Sequence, residues 1–130
     1  MAFVIGQTYT RQQICEEVGG GSVHDYLPNK DGKVLCACLS QAYGADIPAV
    51  ILVGQGPGVQ QQAEMFFRQA AAVPLFYKKM ANQWEYAGDF KPVRSSEAPE
   101  EIAEFAEASG RRNLTRLIFL EAAAPPAQER

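Results

Sequence analysis

An apolar strand that runs without a break into a glycine-rich loop constrains the fold of this chain most. Ala49–Val53 is continuously apolar, and the sequence GQGPG follows it at residues 54–58. A short apolar run bounded by glycine and proline is typical of a strand buried on both faces. We therefore expect a central strand over Ala49–Val53, followed by a helix that opens at Pro57 and extends to about Ala72.

A second informative segment is an aromatic strand in the second half of the chain. Trp84, Tyr86 and Phe90 occupy alternate positions, so in a strand their side chains share one face. A predicted strand over Val73–Lys79 precedes this strand, and the short connection at 80–82 predicts a β-hairpin. Such an aromatic row either packs into a core or forms a platform for a flat ring. Tyr86 is better suited to a ligand, because its phenol keeps a polar tip while its ring can stack.

Local signals along the rest of the chain complete an α+β pattern. Thr10 and Gln13 form a capping box that opens a short helix, which the glycines at 19–21 end near Val18. The other expected elements are a strand over Val34–Leu39, an acidic helix over Pro99–Ser109 ending at Gly110, and a strand over Leu114–Glu121. We expect a single mixed, strongly curved sheet, or a partly open barrel, of about five strands with two or three helices.

Length and composition indicate one globular domain. The chain has 130 residues, of which 47% are hydrophobic and 21% charged, enough to bury about two-thirds of its unfolded surface. We assign residues 1–121 to a single domain and residues 122–130 to a flexible C-terminal tail. No apolar run approaches the roughly 20 residues that span a bilayer, and residues 1–5 do not resemble a signal peptide. We therefore expect a cytoplasmic protein with no membrane partner.

The cysteines favour packing over metal binding. A structural zinc site needs about four ligands, and the chain offers Cys15, Cys36 and Cys38 with a single histidine, His24. We expect no metal and no cofactor, with one cysteine of the pair Cys36 and Cys38 buried and the other half exposed.

The charge distribution limits how this chain could bind a polyanion. Its net charge is −3, and residues 95–130 carry the whole acidic excess, mostly on the helix segment Glu97–Glu107. The remaining body is neutral, so it could bind nucleic acid through a local patch but not by bulk electrostatics. The acidic helix offers an alternative, a basic protein partner at Glu97–Glu107.

The glycine-rich loop has the position of a phosphate cradle but lacks its chemistry. Backbone amides at a helix N-terminus attract anions, yet no P-loop lysine or hydroxyl follows, and Pro57 removes one amide. Two interpretations stay open: a tight structural turn, or a loop that presents Gln55 and Gly56 to a ligand.

Several polar residues have both a structural and a functional interpretation. Lys78 and Lys79, at the end of a strand, could contact phosphates or discourage sheet-to-sheet pairing. Arg11 is unfavourable in the first turn of a helix, so it either makes a contact or is a solvated charge. The segment His24–Tyr26 could hold a general base, but no nucleophile partner can be identified. We therefore expect a loop contact or a cap there, and no enzymatic activity.

Taken in order, these motifs resemble a known family. The matching segments are Tyr9-Thr10-Arg11 with Ile14, the glycines at 19–21, Asp31-Gly32, Val50–Gly58 and Trp84-Glu85-Tyr86-Ala87-Gly88. They resemble the SRA-like domains found with HNH-type restriction endonucleases, over about residues 3–94. The resemblance implies a PUA-like barrel that flips a modified cytosine out of duplex DNA, which costs a few kcal/mol of unstacking.

The resemblance also assigns roles to positions in this chain. Tyr86 matches the tyrosine that stacks on the flipped base. Gln55 occupies the loop that in the family supplies a second stacking tyrosine and a base-reading aspartate, and this chain has neither residue there. A different modified base, or RNA, is therefore equally compatible with the resemblance.

The sequence thus predicts a restriction-associated module that binds DNA or RNA, reads a flipped and modified base in an aromatic-lined pocket, and performs no catalysis. The predicted nucleic-acid-binding residues are Tyr86, Trp84, Gln55, Gly56, Lys78, Lys79, Arg11, His24 and Tyr26. The alternative is a protein-interaction or regulatory module that acts through its acidic helix.

Overall fold

The computed structural model describes residues 3–40 and 49–123. Over these ranges the chain is an α+β protein with three helices and eight strands. In chain order the elements are β1 (Thr8–Tyr9), α1 (Arg11–Val18), β2 (Asn29–Lys30), β3 (Lys33–Val34), β4 (Ala37–Leu39), β5 (Val50–Val53), α2 (Pro57–Gln69), β6 (Val73–Met80), β7 (Gln83–Ser96), α3 (Pro99–Ser109) and β8 (Arg116–Ala122).

The main sheet is mixed and has six strands. Five of them follow the order β4-β6-β7-β8-β5, and β1 pairs with β7 beside this path. The pair β4 and β6 is parallel, whereas the other pairs are antiparallel. The short strands β2 and β3 form a separate two-stranded sheet. The prediction of an α+β fold with a mixed sheet is confirmed.

The predicted hairpin of β6 and β7 is confirmed, but β7 is longer than expected. The first half of β7 pairs with β6, and Phe90–Ser96 continues beyond the predicted end to pair with β8. A register shift lies between Pro92 and Arg94. Because proline cannot donate to a ladder, an irregularity of this kind is where a strand accommodates one.

The prediction that β5 is central was wrong, because β5 forms an edge of the sheet. All four of its residues are nevertheless buried. Ile51 and Val53 face the main core, while Val50 and Leu52 belong to a cluster that packs against α3. A continuous apolar run therefore reports two covered faces, and it does not require a strand neighbour on each side.

The predicted strand Val34–Leu39 is divided. Its start belongs to β3, and its end forms β4, which pairs with β6 instead. Cys36 and Cys38 are both buried in one cluster with Ile14 and Phe76, so the expectation that one cysteine is half exposed was wrong. Residues two apart in extended chain point to the same side, which places both thiols in the same core.

The helices follow their local signals closely. Thr10 Oγ1 accepts a hydrogen bond from the Gln13 amide at 3.1 Å, and Gln13 Oε1 accepts one from the Thr10 amide at 2.8 Å, which confirms the capping box. The acidic helix α3 has its predicted bounds and ends at Gly110 with φ 74°. Helix α2 ends at Gln69, three residues before the predicted end.

The C-terminal boundary also differs slightly from the prediction. Ala122, assigned to the tail, is the last residue of β8, and the Ala123 amide donates to the Asp89 carbonyl at 2.8 Å. The rest of the predicted tail, residues 124–130, lies outside the described residues. Within the described chain, no helix is long and apolar enough to cross a bilayer.

The two edges of the sheet lie beside one cleft. Strands β4 and β5 are at opposite ends of the strand order, yet both contribute residues to its walls. The sheet therefore curves until its edges approach the same space, but it is not closed into a barrel, since β4 and β5 are not paired. This open seam is where the candidate site lies.

Candidate functional site

The cleft at the seam has a volume of about 440 Å³. The two edge strands supply its apolar walls, Leu39 from β4 and Ile51 from β5 among them. Its polar residues come from the start of α1, from His24–Tyr26, from the end of β4, from the loop after β5, from β7 and from the region after α3. Tertiary structure thus assembles one concave site from segments spread over almost the whole chain.

The pair Arg11 and Trp84 contributes two buried polar side chains to the cleft lining. Arg11 is 7% exposed and Trp84 is 8% exposed. The Arg11 guanidinium carbon lies 4.8 Å from the centroid of the Trp84 ring, a cation–π distance. Lys78 is opposite Trp84 in the hairpin register, and its Nζ lies 5.9 Å from the same ring. The tryptophan therefore has two cations beside it.

Arg11 is held in place by backbone groups. As the first residue of α1, its amide has no partner within the helix, and it donates to Asn82 Oδ1 at 3.0 Å. Its Nη2 donates to the carbonyls of Ser22 and Asp25. These carbonyls compensate for the unfavourable helix-dipole position that the sequence indicated. Arg11 therefore also connects α1 to the glycine-rich segment that follows it.

Two hydrogen-bond donors in this pair have no acceptor. Arg11 Nε and Trp84 Nε1 are both buried, and neither finds a partner in the described structure. Over 90% of buried polar groups in proteins are bonded, so each exception needs an explanation. Both exceptions belong to side chains that line the cleft.

A hydrogen bond from Thr115 holds the loop after β5. Thr115 Oγ1 donates to the Gly54 carbonyl at 3.0 Å, which fixes the start of the loop. Gly56 precedes α2 with φ 125°, a conformation that favours glycine. Gly54 and Gln55 line the cleft, and Gly56 does not. The loop is therefore a tight turn and a cleft wall at the same time.

The segment His24–Tyr26 forms a second wall. Tyr26 donates its hydroxyl hydrogen to the Val59 carbonyl at 2.6 Å. Burial raises the pKa of Tyr26 above its ordinary value, although Arg116 opposes this effect. The phenol is thus neutral and tied to a backbone acceptor, which makes it a fixed wall. His24 is exposed at the rim.

The structure brings together five of the nine residues predicted to bind nucleic acid. Those that line the cleft are Arg11, His24, Tyr26, Gln55 and Trp84. Lys78 is exposed near Trp84 without being part of the lining, and Lys79 Nζ lies 3.4 Å from the Glu85 carboxylate.

Tyr86, the residue predicted to stack on the base, lies elsewhere. Its ring centroid is 5.5 Å from that of Phe3 and 5.4 Å from that of Phe76. Its hydroxyl donates to Asp89 Oδ1 at 2.6 Å. Burial and this hydrogen bond raise its pKa above the ordinary value for tyrosine. Tyr86 therefore packs in an aromatic cluster, and Trp84 is the member of the row that lines the cleft.

Sequence reasoning missed three polar residues of the lining, Cys38, Ser40 and Arg111. A hydrogen bond from the Cys36 thiol lowers the pKa of Cys38; burial opposes this shift, and Arg11 reinforces it. The alternation of Cys36 and Cys38 could have indicated a shared face. Nothing around Arg111 in the sequence indicates that it returns to a cleft formed by β4 and β5.

The charge of the cleft differs from that of the whole chain. Among its described lining residues, Arg11 and Arg111 are cationic and Asp25 is the one acid, whereas the chain as a whole carries −3. Across residues 3–40 and 49–123, no three His, Cys, Asp or Glu side chains are grouped as a metal ion would require. The described part of the lining therefore holds more cationic than anionic side chains.

Comparison of this chain with models of protein families, with curated proteins and with solved structures finds no match.

Proposed function

We propose that this chain is a nucleic-acid-binding module that takes one base into the cleft and reads it without catalysis. The supporting observation is the convergence of Arg11, Trp84, Tyr26 and Gln55 on one concave site at the open seam of the sheet. The SRA-like resemblance of residues 3–94 belongs to the same proposal.

The dimensions and lining of the cleft suit a small flat ligand. Its volume of about 440 Å³ lies within the range of about 300–1,000 Å³ that is common for small-molecule sites. Apolar walls with a few convergent polar groups are typical of such sites. A single base with part of its sugar is a ligand of this class.

Each polar residue has a distinct role in the proposal. Because Arg11 already covers Trp84, the base lies against the guanidinium–indole stack, as bases do against arginine planes in single-stranded recognition. Gln55 is exposed at the cleft and carries both a donor and an acceptor on its amide, so it can read a base edge. In this proposal, Arg11 and Trp84 take the stacking role that the resemblance implied for Tyr86.

In this proposal, two cations beside the cleft contact phosphates of the nucleic-acid backbone. Arg111 lines the cleft and Lys78 is exposed near Trp84. Two phosphate contacts give a slope of about −2 in a plot of log affinity against log salt concentration. That slope is shallow, in keeping with a chain whose net charge is −3.

The chain contains a built-in reporter for this proposal, since Trp84 is its only tryptophan. We would titrate the protein with short DNA duplexes, unmodified or carrying a methylated cytosine or adenine, and with single-stranded RNA, at two salt concentrations. Fluorescence anisotropy of the labelled nucleic acid measures affinity, and intrinsic fluorescence reports whether the cleft is occupied. We expect binding to one of these ligands to change Trp84 emission.

A matched pair of glutamine variants tests the base-reading role. Gln55→Ala should weaken binding by about 2- to 10-fold, the value of one or two amide hydrogen bonds. Gln61→Ala makes the same change at an exposed position of α2 outside the cleft and should have no effect. If no nucleic acid binds at low salt, or if binding leaves Trp84 emission unchanged, the proposed function is wrong.

The acidic helix favours a second candidate, a basic protein partner. Glu100, Glu104 and Glu107 are exposed along α3, while Glu101 pairs with Arg94 at 2.6 Å. In this case, replacing the three exposed glutamates by lysine would abolish partner binding, and nucleic acid would not bind the native chain.

A further inference from the structure

We propose that the cleft selects a base or nucleotide by an anionic oxygen, a carboxylate or a phosphate, that pairs with Arg11 beside Trp84. This inference rests on the proposed function and specifies the ligand class of the same site. Its central observation is a buried cation, in the wall of a cleft, that lacks a carboxylate partner.

The first argument concerns the charge of Arg11. Its side chain is more than nine-tenths buried, and no carboxylate of the described residues lies within ion-pairing distance of it. Buried charges in proteins are almost always paired, because desolvation of an isolated charge is costly. Two carbonyls and an indole face compensate only part of this cost. An anion that enters the cleft would complete the pairing.

The second argument concerns the donors that have no acceptor. Arg11 and Trp84 can only donate, and each has a buried nitrogen without an acceptor. A methyl group placed beside them would leave both donors unsatisfied, and an amino group would add a third. A carboxylate or phosphate supplies several acceptor lone pairs in a small volume. The wall therefore favours an anionic substituent over a neutral one.

Access to these donors requires a local movement. Both nitrogens are shielded from solvent, so an anion would pair with them only after the two side chains shift against each other. Such a shift changes the environment of the indole. Trp84 fluorescence should therefore respond more strongly to the anionic ligand than to its neutral counterpart.

The experiment compares ligands that differ only in the group presented. One set consists of duplexes identical except at one cytosine, which carries hydrogen, a methyl group or a carboxyl group at carbon 5. A second set carries a 5′-phosphate or a 5′-hydroxyl on the same strand. Anisotropy and Trp84 emission are measured with the native protein, so the first comparison requires no variant. We expect the anionic member of at least one set to bind about 10- to 100-fold more tightly, as a charge-assisted hydrogen bond provides.

Variants then identify the side chains that produce the preference for the anionic ligand. Arg11→Gln should abolish it, whereas Arg68→Gln, the same change at an exposed site on α2, should preserve it. Trp84→Phe keeps an aromatic ring but removes the indole N–H together with part of the ring volume, so by anisotropy it should reduce the preference. Because Arg11 also holds Ser22 and Asp25, the fold of Arg11→Gln is checked by circular dichroism. If that variant does not fold, the test rests on the preference of the native protein for anionic over neutral ligands and on the effect of Trp84→Phe.

The outcomes separate this inference from the proposed function. A preference for the carboxylated base and a preference for the 5′-phosphate both support the anion pocket, and they distinguish its two sources. Equal binding of neutral and anionic members, with Trp84 emission changing alike, would overturn the anion pocket and leave the reader intact. No binding of any member would overturn the reader itself.

Discussion

Replacement of Gly21 by alanine tests how the segment between α1 and β2 supports the cleft. Gly21 has φ +90°, and a Cβ atom there would lie 2.7 Å from Pro28 Cβ and 3.3 Å from Pro28 Cα. Gly19 provides a matched control, because its φ is +93° and a Cβ atom there would have no heavy atom within 4 Å. The two substitutions share the backbone strain, and only one adds a clash.

The expected magnitudes follow from this geometry. A non-glycine residue in left-handed backbone costs about 1–2 kcal/mol, which is the full expected effect of Gly19→Ala. Overpacking costs about 1–3 kcal/mol more, and here the clash meets a buried proline that cannot rotate away. The free energy of unfolding should therefore fall by about 2–5 kcal/mol in Gly21→Ala.

Urea denaturation followed by circular dichroism measures the difference between the two variants. With a slope near 2 kcal/mol per molar urea, the midpoint of Gly21→Ala should lie about 0.5–1.5 M below that of Gly19→Ala. The same variant should also weaken ligand binding, because relief of the clash would move the Ser22 and Asp25 carbonyls that hold Arg11. Equal midpoints for the two variants would refute this reasoning.

Two further predictions concern the core and one surface ion pair. Phe66→Ala should lower the free energy of unfolding by about 3–5 kcal/mol in the same urea assay, because Phe66 is fully buried between α2 and the sheet. A loss below about 1 kcal/mol would show that α2 is not packed as described. The Glu101 pKa is lowered from 4.5 to about 2, mainly by its hydrogen bonds with Arg94 and Ser96. Its stabilising contribution is therefore complete above pH 4.5 and is lost as the pH falls towards 2. Thermal unfolding between pH 6 and 2 should show a smaller acid-induced loss in Glu101→Gln than in native protein, while the exposed Glu104→Gln retains the native profile; identical profiles for all three would contradict the ion pair.

Local chemistry explains which elements could be predicted. The capping box of Thr10 and Gln13 involves residues three apart, and the helix Pro99–Ser109 is bounded by a proline and a glycine that act on their own neighbours. The hairpin of β6 and β7 is likewise formed by adjacent segments. Each of these signals depends on a few consecutive residues, so the order of the remaining chain does not alter it.

Long-range pairing explains which elements could not be predicted. The apolar run at β5 shows that both of its faces are covered, but only the folded sheet shows that β8 is its one partner among the described strands. The second half of β7 continues past its predicted end because β8, a distant segment, provides a partner. The residues of β5 and β7 do not by themselves determine either pairing.

The same distinction applies to the candidate site. The sequence by itself determined which residues carry usable chemistry: an arginine at a helix start, an aromatic row on one face and a glutamine in a glycine loop. Only the tertiary structure decided that Trp84 and not Tyr86 lines the cleft, because that choice depends on Phe3 and Phe76 occupying the space around Tyr86. It also placed Arg11 against Trp84, 73 positions further along the chain. Side-chain periodicity is a property of consecutive residues, whereas a cleft forms where distant segments meet and leave space between them.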